Sequence, residues 1–142
     1  MTSAFKSVVD STYDSIEGYR HAIEKVDDPQ IKSVLQERLE RREGTLTRLN
    51  AELVRQGEDL ITKGTATGTL HQLWLEVASL IEGGDRSAIE RVKEGEAYLG
   101  AKYRKALESD SLDPDEASTL RDVLPEVEEG ERFASLAEMA YE

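Results

Sequence analysis

A glutamate on an otherwise apolar helix face is the residue in this chain best placed to do chemistry. Between residues 89 and 106, apolar side chains recur every three or four positions, a spacing that puts them on one face of an α-helix. They are Ile89, Val92, Leu99, Tyr103 and Ala106. Glu96 falls on the same face, where an unpaired buried carboxylate is costly. We therefore expect Glu96 to be protonated, to pair with a cation or to bind a metal ion.

A second predicted helix carries a charged residue on its apolar face, which gives Glu96 a candidate partner. Arg42 interrupts a face formed by Ile31, Leu35, Leu39, Leu46, Leu49 and Leu53. Counting about 1.5 Å per residue from the predicted helix ends gives one core layer containing Thr12, Arg42, Glu96 and Val127. The simplest interpretation is a buried Arg42–Glu96 ion pair, which can fix the register between helices. Metal ligation by Glu96 and an error in the predicted helix phase are the alternatives.

The elements that must position these residues are all predicted to be helices. Four long helices and one shorter helix are predicted over residues 3–26, 29–55, 86–108, 114–140 and 69–82. The pairs Asp28-Pro29 and Asp113-Pro114 precede two of them. Aspartate suits the N-cap, and proline suits the first helical position. Pro125 predicts a kink or a break inside the last helix. Strand-like alternation does not occur, so the predicted class is all-α.

An internal repeat divides the chain into two similar halves. Tyr19 begins the stretch YRHAIE, and Tyr103 begins YRKALE 84 residues later. Repetition at a fixed offset is the signature of a duplicated unit. We predict one domain over residues 1–142, an up-down four-helix bundle of two hairpins. The hairpins cover 3–57 and 86–140, and the crossover, 58–85, packs its short helix on the bundle through Trp74.

Three stretches carry a family resemblance. They are IEGYRHAIEKVDDPQIKSVLQERLERRE at 16–43, LHQLWLEV at 70–77 and GEAYLGAKYRKAL at 95–107. The chain resembles, over nearly its whole length, an uncharacterised bacterial family of ferritin-like four-helix-bundle proteins, a domain of unknown function. The resemblance implies a ferritin-like fold and a metal-binding ancestry, and it implies no known reaction.

The usual ligand pattern of ferritin-like di-iron sites is incomplete here. Such sites take one glutamate from each of two helices and Glu-x-x-His from each of the other two. The two histidines, His21 and His71, lie in no such motif, and Glu-x-x-Glu occurs at 40–43 and 126–129 instead. We interpret the acidic run 126–131 as a solvated helix face. If iron or manganese is bound, the candidate ligands are Glu96, Glu17, Glu40, Glu43 and Glu129.

The composition excludes several classes of function. A net charge of −12 argues against nucleic acids and anionic membrane surfaces as partners. The absence of cysteine removes disulfides, thiolate metal sites and cysteine nucleophiles. No Ser/His/Asp arrangement, phosphate-binding loop or dinucleotide fingerprint is present. Neither a signal-peptide-like run nor an apolar stretch of membrane-spanning length occurs, so we expect a cytoplasmic protein.

Two interpretations of function remain. The first is a structural or interaction protein without enzymatic activity, with a degenerate metal site and association as a homodimer. In support of association, residues 133–140 are more apolar than an exposed chain end requires, so we predict that they fold back on the bundle or join a symmetric dimer. The second is a ferritin-like protein that binds iron or manganese in metal storage or oxidative stress. The metal content of the purified protein distinguishes the two.

Overall fold

Five helices make up the part of the chain described by the computed structural model, which comprises residues 2–62, 69–78 and 84–141. They are α1 (Ser3–Lys25), α2 (Pro29–Arg55), α3 (Thr69–Ala78), α4 (Asp85–Glu108) and α5 (Pro114–Met139). No strand occurs in these residues, which confirms the all-α prediction for them. Residues 79–82 of the predicted short helix lie outside the described ranges. None of the described helices is long and apolar enough to cross a membrane.

The two aspartate-proline pairs begin α2 and α5, as predicted. The side chain of Asp28 accepts a hydrogen bond from the backbone N–H of Gln30 at 2.9 Å. Asp113 accepts one from the backbone N–H of Glu116 at 2.8 Å, and the Glu116 carboxylate accepts one in return from the Asp113 N–H at 3.2 Å. This reciprocal capping box satisfies two backbone donors that the helix itself cannot. The proline that follows each aspartate lies in the first turn, where its missing N–H costs no helical hydrogen bond.

The four long helices pack as a bundle in which neighbouring helices are antiparallel. α1 and α5 each pack against both α2 and α4, so α1 lies diagonally opposite α5, and α2 opposite α4. The end of α1 meets the start of α4, because the N–H groups of Asp27 and Asp28 donate to the Asp85 carboxylate at 2.8 and 2.9 Å. The starts of α1 and α5 meet where Thr2 donates to Glu116. The long helices therefore run up, down, down and up in chain order.

The apolar core is divided into two clusters by a polar layer. One cluster contains Phe5, Val9, Leu49, Leu53, Leu99, Tyr103 and Val127. The other contains Tyr19, Ala22, Leu35, Val92 and Ala134. In each long helix the buried members of the two clusters are about two turns or more apart, and the buried residues between them include Ser15, Arg42, Glu96 and Gly130. The core is therefore interrupted by charged and small side chains at one common height.

The short helix α3 packs on the side of the bundle through Trp74, as the sequence predicted. It contacts α1 and α4, and the buried indole ring of Trp74 lies over Gly18. A Cβ atom added to Gly18 would lie only 2.0 Å from the ring. The absence of a side chain at this position is therefore what allows α3 to lie so close to α1.

The last helix differs from its prediction in two respects. α5 is one helix from Pro114 to Met139, so the chain does not break at Pro125, and the alternative of a kink stays a prediction. The proline is exposed, and the helix tolerates the loss of one hydrogen bond. The 133–140 segment does not fold back, because it continues α5. Its small residues Ala134 and Ala137 are buried, whereas Leu136 and Met139 are 67% and 63% exposed. Association through that exposed face stays a prediction.

Candidate functional site

Arg42 and Glu96 form an ion pair at the centre of the bundle, across the diagonal between α2 and α4. Their side chains are 0% and 1% exposed. The guanidinium Nη1 donates to Oε1 of Glu96 at 2.9 Å, and Nη2 donates to Oε2 at 2.7 Å. Two parallel bonds of this kind are the strong form of an arginine–carboxylate contact. Each charge is thus neutralised by its partner without help from solvent.

The other two long helices also contribute to this site. Nε of Arg42 donates to Oε1 of Glu126 on α5 at 2.8 Å, and Nη2 donates to Oε2 of the same residue at 3.2 Å. On α1, the hydroxyl oxygen of Ser15 accepts from Nη1 at 2.9 Å. We call Ser15, Arg42, Glu96 and Glu126 the central network. One guanidinium therefore connects all four long helices.

Two further residues of α2 hold the Glu126 carboxylate in place. Arg38 donates to its carboxylate and, at 2.9 Å, to its backbone carbonyl. The Thr45 hydroxyl donates to Oε1 at 2.7 Å. The Glu126 side chain is 16% exposed, so it lies at the edge of the core, between α2 and α5. The Glu126 carboxylate is therefore held by two residues of α2 that lie about one turn before and one turn after Arg42.

Gly130 supplies the space that the central carboxylate occupies. A Cβ atom built on Gly130 would lie 2.0 Å from Oε2 of Glu96 and 2.9 Å from Nη2 of Arg42. Both distances are far shorter than ordinary van der Waals contacts. Any side chain at this position would therefore displace Glu96, Arg42 or α5 itself.

Burial and charge act in opposite directions on the pKa values of the network. Burial lowers the pKa of Arg42, but the surrounding charges, that of Glu96 foremost, and the hydrogen bond to Glu96 together outweigh it, and the pKa stands well above its usual value. Burial raises the pKa of Glu126, but the charge of Arg42 and the hydrogen bonds it receives lower the pKa overall. Burial also raises the pKa of Tyr19 and of Tyr103. The site therefore holds a permanent cation, paired carboxylates and neutral phenols.

The composition of this layer differs from the one predicted by counting residues. Thr12 lies away from Arg42, with its hydroxyl 2.6 Å from the hydroxyl of Tyr103. Val127 belongs to an apolar cluster. Ser15 and Glu126 contact Arg42 instead. Counting gives the height of a residue to about one turn, whereas the rotation of each helix decides which neighbour faces the centre.

The interpretation of residues 126–131 as a solvated face is wrong for two of its glutamates. Glu126 belongs to the central network, and Glu131 accepts two hydrogen bonds from Arg104 of α4 at 3.0 and 3.2 Å. The sequence contained an indication that Glu126 faces the core, because it follows Val123 by three residues and precedes Gly130 by four. That spacing places all three near one helix face.

The glutamates Glu17, Glu40 and Glu43, which the sequence offered as metal ligands, lie on the outer surface of the first hairpin. Glu17 pairs with Arg20 of its own helix at 2.7 Å, and the same arginine is 3.6 Å from Glu43 of α2. Glu40 is exposed. The surface arginine therefore bridges two of these carboxylates, and the structure does not gather the three around a common point.

The remaining candidates do not assemble into a metal site either. Glu129 is about half exposed and lies 3.5 Å from Arg38. Both oxygens of Glu96 accept hydrogen bonds from Arg42, whose positive charge opposes the binding of a second cation. Within residues 2–62, 69–78 and 84–141, no group of three or more His, Cys, Asp or Glu side chains could hold a metal ion. The residues at the bundle centre do not fit a di-metal site.

Comparison with known proteins gives a family and a fold, but no activity. The family described as "Domain of unknown function (DUF2383)" matches residues 1–109, which include both Arg42 and Glu96. Among solved structures, the chain is similar to a conserved hypothetical protein, rv2844, from Mycobacterium tuberculosis. The two share 13% sequence identity with a TM-score of 0.70, over 93% of this chain and 92% of that one, so the likeness is one of fold alone. No curated protein matches the chain.

Proposed function

This chain belongs to the family described as a domain of unknown function, DUF2383, and we propose that it is a structural or interaction protein without enzymatic activity. In this proposal it is a ferritin-like bundle whose metal site is degenerate. One observation carries the proposal: the Arg42 guanidinium stands at the bundle centre, bonded to Glu96 and Glu126. Ferritin-like metal sites use inward-facing carboxylates to bind metal cations. Here the cation that the carboxylates bind is a side chain of the protein itself.

The order of the helices supports the ferritin-like part of the proposal. Two antiparallel hairpins, each with an Asp-Pro helix start, are joined so that α2 and α4 run in the same direction. A four-helix bundle with one long crossover has this arrangement, and ferritin-like folds are bundles of that kind. The metal site would then have been replaced while the scaffold was retained.

The central network suits a protein whose role is to keep a rigid shape. A buried ion pair is weak evidence for stability, but it can specify register. A slip of one residue moves a helix by about 1.5 Å along its axis, enough to break the bonds that Arg42 makes to its partners. All of these hydrogen bonds can form together only when the four long helices have one particular axial register. The network thus selects a single packing of the bundle and fixes the surfaces that it presents.

The exposed end of α5 supports self-association. Leu136 and Met139 lie on its outer face, and we propose a cytosolic homodimer that uses this face. Replacing both with serine should leave the helix content unchanged and reduce the mass measured by light scattering to that of one chain. A wild-type protein that is already monomeric at high concentration would contradict this part of the proposal.

Elemental analysis tests the proposed function. The wild-type protein is produced in medium supplemented with iron and manganese and is purified without chelators or an affinity tag. We expect far less than one metal ion per chain. Glu96→Gln removes the central carboxylate, and Glu24→Gln changes an exposed glutamate as the matched control. Near-stoichiometric metal that Glu96→Gln abolishes and Glu24→Gln retains would contradict the proposal and favour a metal-storage or oxidative-stress protein.

A further inference from the structure

A groove on the α1–α4 side of the bundle takes no part in the central network. It consists of two adjoining cavities of about 270 and 370 Å³, and Lys102 and Lys105 line both of them. The rest of the lining combines apolar residues with serines; its members include Ala4, Tyr98, Ala101, Ser7, Ser109 and Ser111. The groove is therefore a mainly apolar channel with serine hydroxyls and two cations along it.

The two lysines stand out because the chain is strongly acidic. It carries 30 acidic residues and a net charge of −12, so carboxylates are abundant. The neighbouring Arg104 of α4 pairs with Glu131 of α5 at 3.0 Å. In the described part of the chain, however, neither Lys102 nor Lys105 has a carboxylate within ion-pair distance. The ammonium of Lys102 lies 5.6 Å from the ring centre of Tyr98. Two cations one helical turn apart are thus available to a partner.

The fold already binds one helix on the same pair of helices. α3 packs on both α1 and α4 and is held by Trp74 over Gly18. The groove lies on the same two helices, nearer to the start of α1. Between Tyr98 and Ser109, α4 extends roughly 16 Å at 1.5 Å per residue, enough to line about three turns of a docked helix. An open groove of this form suits helix-in-groove recognition, whereas a small-molecule pocket encloses most of its ligand.

We propose that this groove binds an acidic amphipathic helix of a protein partner. The apolar face of that helix would lie on Ala4, Tyr98 and Ala101, and its flanking carboxylates would pair with Lys102 and Lys105. Such a helix would be the partner of the interaction protein proposed above, so the assignment of this groove rests on that proposed function. The groove and the central network have no residue in common, so metal analysis and a binding assay can fail independently.

A synthetic peptide tests the groove directly. The probe has sixteen residues, with leucine at every third or fourth position and glutamate on both flanks, and it carries a fluorescein label. Its fluorescence anisotropy is measured as wild-type protein is added, and we expect a micromolar dissociation constant that rises with salt. Reversing the two groove charges, Lys102→Glu with Lys105→Glu, should weaken binding by about tenfold or more.

A matched variant separates the groove from the overall charge. Lys32→Glu with Arg121→Glu makes the same change in net charge on α2 and α5, outside the groove, and should change the affinity by less than about twofold. Circular dichroism verifies that both variants are folded. Equal losses in the two variants, or no binding by the wild-type protein at millimolar concentration, would overturn the proposal. The proposal would also be overturned if the wild-type protein were a dimer that only the groove variant dissociates, since a second copy of the chain would then occupy the groove.

Discussion

Arg42→Met should destabilise the protein more than any other single change at the bundle centre. The guanidinium makes five hydrogen bonds, two to Glu96, two to Glu126 and one to Ser15. Without it, the carboxylate of Glu96 stays buried at 1% exposure and loses both bonds to a cation. Leaving one partner of a buried ion pair uncompensated costs roughly 3–5 kcal/mol. We expect the loss for Arg42→Met to lie in that range.

Glu96→Leu should cost less, because Arg42 keeps its other partners. The loss of charge-assisted hydrogen bonds corresponds to roughly 2–3 kcal/mol. Combining the two changes should recover much of the larger loss, since two apolar side chains need no partners. Glu126 would still bond to Arg38 and Thr45. If the double variant is more stable than Arg42→Met, the double-mutant cycle must give a coupling energy larger than the roughly 2–3 kcal/mol lost in Glu96→Leu alone.

Urea unfolding monitored by far-ultraviolet circular dichroism measures this coupling. Equal slopes of the unfolding free energy against urea concentration would show that the variants unfold over the same surface. Arg41→Met and Glu37→Leu form the matched cycle, because this exposed pair on α2 is 3.2 Å apart and should couple by less than about 0.5 kcal/mol. If the changes at Arg42 and Glu96 are additive to within roughly 0.5 kcal/mol, the buried pair does not act as described.

Three other changes test separate features of the fold. Gly130→Ala should destabilise by roughly 1–3 kcal/mol through overpacking, whereas Gly44→Ala, which meets no atom within 4 Å, should be neutral or stabilise by up to about 1 kcal/mol in the same urea assay. Gly18→Ala should shift the emission of Trp74, the sole tryptophan, to longer wavelength, and an unchanged spectrum would contradict the close α1–α3 contact. Because the pKa of Glu126 is lowered, its contribution to stability is complete above its unfolded pKa of about 4.3 and is lost as the pH falls through the lower folded value. Glu126→Gln should remove that part of the pH dependence, and an unaltered profile of unfolding free energy between pH 3 and pH 7 would be inconsistent with this pairing.

The features that could be predicted from sequence are those that short stretches determine. Asp28 and Asp113 begin their helices because an aspartate followed by proline satisfies the first turn locally. The apolar spacing of α4 identified its buried face, including Glu96, since periodicity depends only on the helix that carries it. These signals need no knowledge of the neighbouring helices.

The rest of the site depends on how the helices are rotated against one another. Arg42 is faced by Ser15 instead of Thr12, and by Glu126 instead of Val127. In each case the predicted and the observed residue are one helical turn or less apart. A glutamate at the edge of an apolar face has the same sequence signature whether it is solvated or paired. The role of Gly130 was equally hidden, because a glycine within a helix indicates close approach only once the approaching group is known.

Anomalous diffraction from crystals of the wild-type protein, grown with iron and manganese, is the most direct test of a bundle centre occupied by a side-chain cation. Data recorded at the absorption edges of both metals would reveal any bound ion at the position of the central network. We predict no anomalous peak there, with Nη2 of Arg42 about 2.7 Å from Oε2 of Glu96. A peak bound by Glu96, with the Arg42 guanidinium turned away from it, would contradict the proposal.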